Sequence, residues 1–395
     1  MISSLALFSL APVVFASPAR RCTGTISSLD DVSSAVECTT ININSFTVPA
    51  GQTFSISAPT GATINLLGDV TFGYEEWAGP LFQLSGTDIT FNGNGYTFDG
   101  QGDQYWDGLG SSGSTKPHPM MKIKSSVNGN GYTFDGQGDQ YWDGLGSSGS
   151  TKPHPMMKIK SSGTFTNLII KNSPQQCFSF GNDAALTVSK VTVDNSDGNS
   201  ANSLSNGKPA GHNTDGFDVS VSDLTIEDST VINQDDCLAI NKGSNIIFQR
   251  NSCTGGHGIS VGSITSGVTV SNVQILDNTV TNNAQGFRIK TDASATGSTV
   301  SGIYYSGNTA TGCTDYGVII DQSYPSTLGT PGTGVIISNV TFAGTNTVSV
   351  ASGADEVEVN CGSGSCTGTW NWSGLEVSGG SAGSSDYSGI TGFTV

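Results

Sequence analysis

A strand-like motif recurs six times from residue 168 onward. Each copy alternates apolar and polar residues, reaches an Asn or Asp, and continues with Ser or Thr. The Asn or Asp stands at positions 172, 195, 228, 251, 278 and 308, at intervals of 23, 33, 23, 27 and 30 residues. Intervals that vary while the strand pattern persists are typical of a solenoid, whose insertions collect at the turns.

The composition favours strands over helices. The 395 residues include 53 Gly, and short β-rich runs alternate with turn residues without convincing helical periodicity. We therefore predict an all-β fold, a right-handed parallel β-helix. We expect a single domain, because a solenoid can lengthen along one axis without dividing into domains. We expect the recurring Asn to stack at one bend, where Asn tolerates left-handed backbone conformation and can hydrogen-bond its neighbours in the coils above and below. A β-sandwich would not need the same polar residue at the same corner of each turn.

The N-terminus predicts a secreted protein. An apolar run near the start ends in small residues suited to signal cleavage, and Arg20-Arg21 resembles a dibasic processing site. We expect residues 1–21 to be a signal peptide with a short pro-segment, and residues 22–395 to be the mature catalytic domain. No later apolar stretch is long enough to span a bilayer.

Two covalent features accompany secretion. Eight cysteines favour disulfides in an extracellular chain. We predict bridges between the cysteines closest in sequence: Cys22–Cys38, Cys237–Cys253 and Cys361–Cys366. Cys177 and Cys313 are left as free thiols or a fourth bridge. Asn339 and Asn371 begin acceptor sequences for N-glycosylation.

The formal net charge of −17 limits the possible partners. It argues against nucleic acid and against general attraction to polyanions. An acidic ligand would therefore need a few local cations. We expect a monomer without nucleic-acid or membrane partners.

One block of the chain is duplicated. Residues 92–126 recur without a change at 128–162. Structural repeats diverge, so identity indicates a recent duplication or an artefact. The block carries its own strand patterns, so we expect it to add one coil without shifting the register; otherwise one copy must bulge out. The sequence does not decide which copy is in the native position.

Three residues stand at equal spacing: Asp215, Asp236 and His257 are each 21 residues apart. Coils of a parallel sheet lie about 4.8 Å apart, so we expect these side chains side by side on one outer face. Crowding there, with Asp235 adjacent, raises one carboxyl pKa, so that one group can act as an acid and a neighbour as a base. The alternatives are a turn rich in Asp or a calcium site.

Cations follow the acidic cluster. In Arg288-Ile289-Lys290, strand alternation directs both cations outward and Ile289 inward. Such cations suit an anionic substrate, although they could also balance the aspartates. His257 lies between two glycines and can support the acid by hydrogen bonding. We expect Tyr324 at the edge of the same face.

Four motifs in this order resemble the signatures of the polygalacturonases, family 28 of the glycoside hydrolases: Asn213-Thr214-Asp215, Gln234-Asp235-Asp236, Gly256-His257-Gly258 and Arg288-Ile289-Lys290. The resemblance is closest to the fungal secreted endo-enzymes and covers the chain apart from the extra copy. It implies that Asp235 is the general acid, that Asp215 and Asp236 activate water, and that no metal or cofactor is needed. The implied acid-supporting residue is His257, and the implied substrate-binding residues are Arg288, Lys290, Tyr324 and Asn213.

The resemblance implies endo-hydrolysis of α-1,4-galacturonan with inversion. Without the signal region and the extra copy, the chain is too short for long end-blocking loops, which favours internal cleavage. Inverting enzymes leave about 6.5–9.5 Å between acid and base, which is more than the spacing of two adjacent strands. The larger distance requires either a bend of the chain at Asp235-Asp236 or a base that lies diagonally across the strands from the acid, at Asp215. The alternatives are an exo-enzyme, a rhamnogalacturonan hydrolase, a calcium-dependent pectate lyase and a non-catalytic carbohydrate-binding β-helix.

Overall fold

The computed structural model describes residues 20–94, 96–101, 115, 121–152 and 154–395. In these ranges the chain is a parallel β-helix, as predicted, in which each coil places one strand in each of three stacks. We name the stacks sheets A, B and C, in the order in which a coil passes through them. Of the predicted signal peptide and pro-segment, residues 1–21, positions 1–19 lie outside the described residues, and the first strand begins at Arg20.

Sheet A contains the strands Phe54–Ser57, Met157–Ile159, Phe178–Phe180, Phe217–Val219, Leu238–Ile240, Ile259–Ile264, Gln285–Asp292, Tyr316–Tyr324, Asp355–Asn360 and Ser381–Ser385. Sheet B contains Arg20–Ile26, Cys38–Ile43, Thr63–Leu66, Leu186–Ser189, Leu224–Glu227, Gly243–Gln249, Thr269–Leu276, Thr296–Ser306, Gly334–Ala343 and Cys366–Thr367. Sheet C contains Thr192–Asp194, Thr230–Ile232, Ser252–Thr254, Thr279–Thr281, Thr309–Cys313, Asn346–Val350 and Leu375–Ser378.

Long strands bend from one sheet into the next: Phe82–Asn92, Met121–Asp135 and Gly163–Lys171. Two small ladders complete the strands, one of Phe46–Val48, Val70–Phe72 and Phe98–Asp99 and one of Trp370–Asn371 and Ile390–Thr391. The described helices are the α-helix Val32–Ala35 and the 3₁₀ turns Leu29–Asp31, Gly138–Gln140, Gly146–Ser148 and Ser196–Asn199. In the described part of the chain, none of the helices has the length and apolarity needed to cross a membrane.

Alternation along the strands builds a narrow apolar interior. One register position of sheet A holds Phe217, Leu238, Ile259 and Phe287, all of them buried. The ring of Phe178 stacks one coil earlier, 5.4 Å from that of Phe217 between centroids. Similar residues thus lie over one another along the axis. Their burial, worth about 25 cal/mol per Å², stabilises each coil against the next and leaves the outward positions for polar side chains.

Both ends of the interior are covered. At the start, the helix Val32–Ala35 packs on the first strands, and Ala35 is buried. At the other end Trp370 and Trp372 are buried, and the ring of Tyr387 lies 4.5 Å from that of Trp370. Such caps shield the terminal coils of a solenoid from water.

The three predicted disulfides are present: Cys22–Cys38, Cys237–Cys253 and Cys361–Cys366. The second links the start of a sheet A strand, directly beside Asp236, to the sheet C strand Ser252–Thr254 that follows in the same coil. Cys177 and Cys313 are buried free thiols. The two candidate glycosylation residues, Asn339 and Asn371, are exposed.

An asparagine ladder occupies the turn between sheets B and C, at Asn251, Asn278, Asn308 and Asn346. Each Oδ1 atom accepts a hydrogen bond from a backbone N–H of the preceding coil. Each Nδ2 atom donates to a backbone carbonyl of that coil. Because the turn is buried, the ladder satisfies backbone groups that would otherwise be costly to leave without partners.

The expected bonding between recurring Asn residues of adjacent coils is confirmed, since Asn251 bonds Asn278 and Asn278 bonds Asn308. The expectation of a single bend was wrong, and that of left-handed backbone holds only in part. The segments that end at Asn172 and Asn195 pair with each other in sheet C, whereas the other four segments lie in sheet B. Two of the recurring residues do have left-handed backbone, Asn172 with φ of 49° and Asp228 with φ of 51°. At Asn251 and Asn278 the left-handed conformation falls instead on the preceding residue, Arg250 with φ of 53° and Asp277 with φ of 54°. The corner needs one left-handed residue to turn the chain, and the next residue then points inward to form the ladder. A strand motif read without its partners does not reveal the sheet to which it belongs.

The duplicated block adds one coil, as expected. Met121 of the first copy pairs with Met157 of the second. Met121 also pairs with Phe82 of the preceding coil, and Met157 with Phe178 of the following coil. The register therefore continues through the extra coil. The loop of the second copy, within residues 136–152, is described, whereas most of its counterpart in the first copy lies outside the described residues.

We expect Asn278→Ala to lower the free energy of unfolding by about 1–3 kcal/mol, because buried donors and acceptors on both neighbouring coils lose their partners. The midpoint of guanidinium unfolding measures this change. The matched control is Thr279→Ala at the adjacent exposed position, which should stay within about 0.5 kcal/mol of the parent. Equal midpoints for the two variants would show that the ladder contributes no stability.

Deleting residues 92–127 joins Phe91 to Asn128 and leaves a single copy of the block. Because the deleted segment is one whole coil, the strands on either side can pair in their present register. We expect a folded product with the β-sheet circular dichroism of the parent and a cooperative thermal transition. An unfolded or aggregated product would show that the extra coil has become necessary for folding.

Candidate active site

Three consecutive strands of sheet A pair in register at an offset of 21 residues, beginning at Phe217, Leu238 and Ile259. Asp215, Asp236 and His257 each lie two residues before one of these strands. The predicted alignment is therefore correct, and the three residues occupy equivalent positions in the turn from sheet C to sheet A.

The bend that both aspartates require is present. Asp235 and Asp236 lie between the strands, where alternation does not apply, and both carboxyls reach one cluster. One carboxylate oxygen of each aspartate and one ring nitrogen of His257 all lie within 4.8 Å of one another. A buried amide supports the bend, since Asn233 Nδ2 donates to the carbonyls of Thr214 at 2.9 Å and of Asp236 at 3.0 Å.

Asp235 forms a pair with His257. The Nδ1 atom of His257 lies 3.1 Å from Asp235 Oδ1, so the imidazole contacts Asp235 although it is in register with Asp236. Asn213 Nδ2 donates to the other oxygen at 2.9 Å. Burial raises the pKa of Asp235, but the hydrogen bond and charge of His257 outweigh it and lower that pKa to about 2. Burial likewise lowers the pKa of His257, and Asp235 raises it above its ordinary value. In the free cleft the shared proton therefore rests on the imidazole.

Asp236 forms a second pair, with Lys290. Its Oδ2 atom accepts from Lys290 Nζ at 2.6 Å, and its Oδ1 atom accepts from Ser260 Oγ at 2.7 Å. Burial lowers the pKa of Lys290, but the charge of Asp236 outweighs this effect, so that the net pKa is raised. Lys290 is thus engaged in balancing an aspartate.

Arg288 is the cation of the cleft without such a partner. It points outward while Ile289 is buried, as predicted, and it forms no hydrogen bond or ion pair with any residue that the structure describes. Tyr324 lies nearby, with its ring centre 5.6 Å from Lys290 Nζ. The predicted residues therefore gather at one place on sheet A.

Two further carboxyls crowd the cleft. Asp215 is buried, and its Oδ1 atom has no hydrogen-bond partner among the described residues. Burial, then the charges of Asp235 and Asp218, raise the pKa of Asp215 well above its usual range. Asp218 was not singled out from the sequence. Burial, then the charges of Asp236 and Asp235, raise its pKa to about 7. Asp218 occupies the same outward register position of sheet A as Ser260 and Arg288 in later coils. That position is the sequence signal that could have identified Asp218.

The loop of the second repeat copy lies beside the cleft. Ser147 donates to Asn213 Oδ1 through both its backbone N–H and its hydroxyl, each at 3.0 Å. The loop is anchored by the buried indole of Trp142 and by an ion pair of 2.9 Å between Lys152 and Asp143. Of the two copies, the second supplies the described residues that contact the site.

Residues 38–129 and 120–394 match the sequence model of the family described as glycosyl hydrolases family 28. The chain belongs to this family. The two matched ranges overlap where the repeat copies meet, which is consistent with an inserted coil in an otherwise ordinary family 28 chain.

Relatives support this assignment. The chain is 40% identical over 397 residues to the probable endopolygalacturonase A of Neosartorya fischeri, covering 96% of this chain and 95% of that protein. It is 39% identical over 399 residues to the polygalacturonase of Saccharomyces cerevisiae, covering 99% of this chain and 96% of that protein. The solved structure of endopolygalacturonase I from Stereum purpureum, complexed with two galacturonate, is 44% identical, with coverage of 93% and 98% and a TM-score of 0.71.

The raised pKa of Asp218 makes stability depend on pH. The ordinary value is 3.8 and the folded value about 7, so the folded state holds a proton that the unfolded state releases between these pH values. The free energy of unfolding therefore falls as pH rises from 4 to 7, by at most about 1.4 kcal/mol per unit. We expect Asp218→Asn to unfold at a higher denaturant concentration than the parent at pH 7.5 but not at pH 4.

The exposed Asp183 supplies the control. Asp183→Asn should follow the pH dependence of the parent, because it removes an exposed carboxyl that lies outside the cleft. A constant difference between Asp218→Asn and the parent at every pH would contradict the assignment of this pKa.

Proposed function

We propose that this family 28 chain hydrolyses α-1,4-galacturonosidic linkages inside polygalacturonate chains, with Asp235 as the general acid. The observation that carries the proposal is the pairing of Asp235 with His257 beside that of Asp236 with Lys290. Next to them lies Arg288, which has no ion-pair partner in the described ranges. Of the named relatives, one is a probable endopolygalacturonase, one a polygalacturonase, and the third an endopolygalacturonase solved with two galacturonate.

The acid step begins from the Asp235–His257 pair. An ion pair and a neutral pair contain the same proton, so moving it from His257 to Asp235 changes no net charge. When a bound sugar displaces water, the lower local dielectric penalises separated charges and favours the neutral pair. Asp235 then carries the proton and donates it to the glycosidic oxygen as the bond to the anomeric carbon breaks.

The base step uses the other two carboxyls. Asp236 is held by Lys290 and Ser260, whose contacts stabilise its negative charge, and it accepts the proton of the attacking water. Asp215 has a buried oxygen that no residue in the described ranges hydrogen-bonds, which suits a hydrogen bond to that water. We assign Asp236 as the principal base and Asp215 as the group that orients the water.

Inversion requires room for the water. The nearest atoms of Asp235 and Asp236 lie within 4.8 Å, whereas the two carboxyl groups of inverting enzymes stand about 6.5–9.5 Å apart. A water in line with the anomeric carbon therefore needs a place other than the space between these two oxygens, on the side where Asp215 lies. The inverting outcome follows from the family and is part of the proposal.

Substrate recognition centres on Arg288. A guanidinium can bind a carboxylate through two parallel hydrogen bonds, and Arg288 is free to do so. Lys290 and Tyr324 lie beside it and complete the subsite. Asn213 is bound to Asp235 and Ser147, so we assign it to orienting the acid, in place of the direct substrate contact implied by the motif.

The arrangement favours hydrolysis over a calcium-dependent lyase. Asp235, Asp236 and His257 are close enough to share a cation, but Lys290 Nζ already lies 2.6 Å from Asp236. An ammonium at that distance would repel a divalent ion. We also propose that the enzyme is secreted as a monomer, a setting that the three disulfides support.

Polygalacturonate incubated with the protein and a chelator should yield new reducing ends without ultraviolet absorbance, and viscosity should fall early because cuts are internal. Asp235→Asn should lower kcat by about 10²- to 10⁴-fold, because the proton donor is lost. Reducing-end, absorbance and viscosity measurements on the same samples test this. The first product anomer, observed by NMR, should be inverted.

Asp183→Asn serves as the activity control and should retain the parental kcat. Absorbance that disappears on chelation would identify a lyase instead. Near-parental turnover in a folded Asp235→Asn protein would remove Asp235 from the role of acid.

A further inference from the structure

Four lysines form a patch on sheet A, before the catalytic cleft. Lys122 and Lys124 come from the first copy of the repeated block, and Lys158 and Lys160 from the second. Lys122 and Lys158 are register partners in adjacent strands. The backbone N–H of Lys160 donates to the carbonyl of Ile123, the residue before Lys124. The duplication has therefore stacked one lysine pair on another. We call these four residues the lysine patch.

The lysine patch faces the same way as the catalytic residues. Ile123 and Ile159 alternate with the lysines and are buried, so the lysine side chains point outward. Lys158 pairs with Ser179, and Ser179 pairs with Asp218. Two rungs of a parallel sheet span about 10 Å. The lysine patch thus begins about 10 Å from the nearest carboxyl of the cleft, along the same sheet.

Among the residues that the structure describes, no acidic side chain balances the positive charge of the lysine patch. None of its four members forms an ion pair with any residue that the structure describes. Partial burial and then the neighbouring charges of Lys124, Lys160 and Lys158 lower the pKa of Lys122, which is the sign of mutual repulsion. This cluster stands in a chain with 15 Lys and Arg against 32 Asp and Glu. Four adjacent cations in such a chain are suited to an anionic ligand.

The path from the lysine patch to the cleft is free of bulky or charged groups in the intervening strand. The outward position next to Lys158 is Ser179, and Gly181, which has no side chain, lies under the stem of Lys160. A chain molecule lying along sheet A can pass over this strand. Beyond it, Arg288 provides the next outward cation of the same face.

We propose that the lysine patch binds carboxylates of the polygalacturonate chain outside the catalytic cleft and so strengthens binding of long substrates. The inference rests on the proposed function, since it requires a polyuronate lying along sheet A. Such a polymer carries a carboxylate on every sugar, so several can meet the lysine patch at once. A chain with a single copy of the block would have half of these cations.

Substitution in the full-length protein tests the proposal. We expect Lys122→Gln/Lys158→Gln to raise KM for polygalacturonate roughly threefold to tenfold at low ionic strength, as exposed charge contacts allow, and the fourfold Gln variant to raise it further. For trigalacturonate, kcat and KM should stay within about twofold of the parent, since a trimer has at most two sugars on either side of the cleaved bond. Salt should raise the parental KM for polymer more steeply than that of the variants, because screening acts on charges that the variants lack.

The control is Lys190→Gln, which removes an exposed cation from the turn between sheets B and C. A fourfold variant with the polymer KM of this control would overturn the proposal, as would an equal loss of activity on trimer and polymer. Binding is measured separately, as retention of Asp235→Asn on immobilised polygalacturonate. If the parent cleaves neither substrate, the proposed function fails, yet loss of retention in the patch variants still supports the lysine patch, and unchanged retention rejects it.

Discussion

Parallel hydrogen bonding between successive coils is the constraint on which the rest of this structure depends. It repeats the same outward position every coil, so residues separated by one coil length become neighbours. Asp215, Asp236 and His257 meet in this way, although the chain between them passes around the whole solenoid. The asparagine ladder and the stacked interior keep that register by penalising any slip with unpaired polar groups and lost burial.

The cleft combines two ion pairs with crowded carboxyls. His257 and Lys290 each neutralise one member of the Asp235-Asp236 pair, which makes two adjacent carboxylates tolerable in a buried bend. Asp215 and Asp218 form no ion pair within the described part of the chain, and burial followed by the charges of the neighbouring aspartates raises the pKa of both. Crowded carboxyls lower the stability of a fold, and natural proteins keep such unfavourable arrangements mainly at functional sites.

The duplicated coil shows how a solenoid accepts a large insertion. Each coil contacts mainly its neighbours, so a complete extra coil leaves the register of later coils intact. The second copy supplies the loop that contacts Asn213, while both copies contribute to the lysine patch. A complete extra coil can therefore change the charge of sheet A without changing its register.

The sequence by itself determined the β-helix, the alignment of Asp215 with Asp236 and His257, and the three disulfides, because each follows from spacing along the chain. Only the tertiary structure decided that His257 contacts Asp235, that Asp218 belongs to the cleft, and that the repeated segments divide between two sheets. The physical reason is that spacing fixes which coil a residue occupies, whereas side-chain direction in a turn depends on backbone geometry and on hydrogen bonds from neighbouring coils.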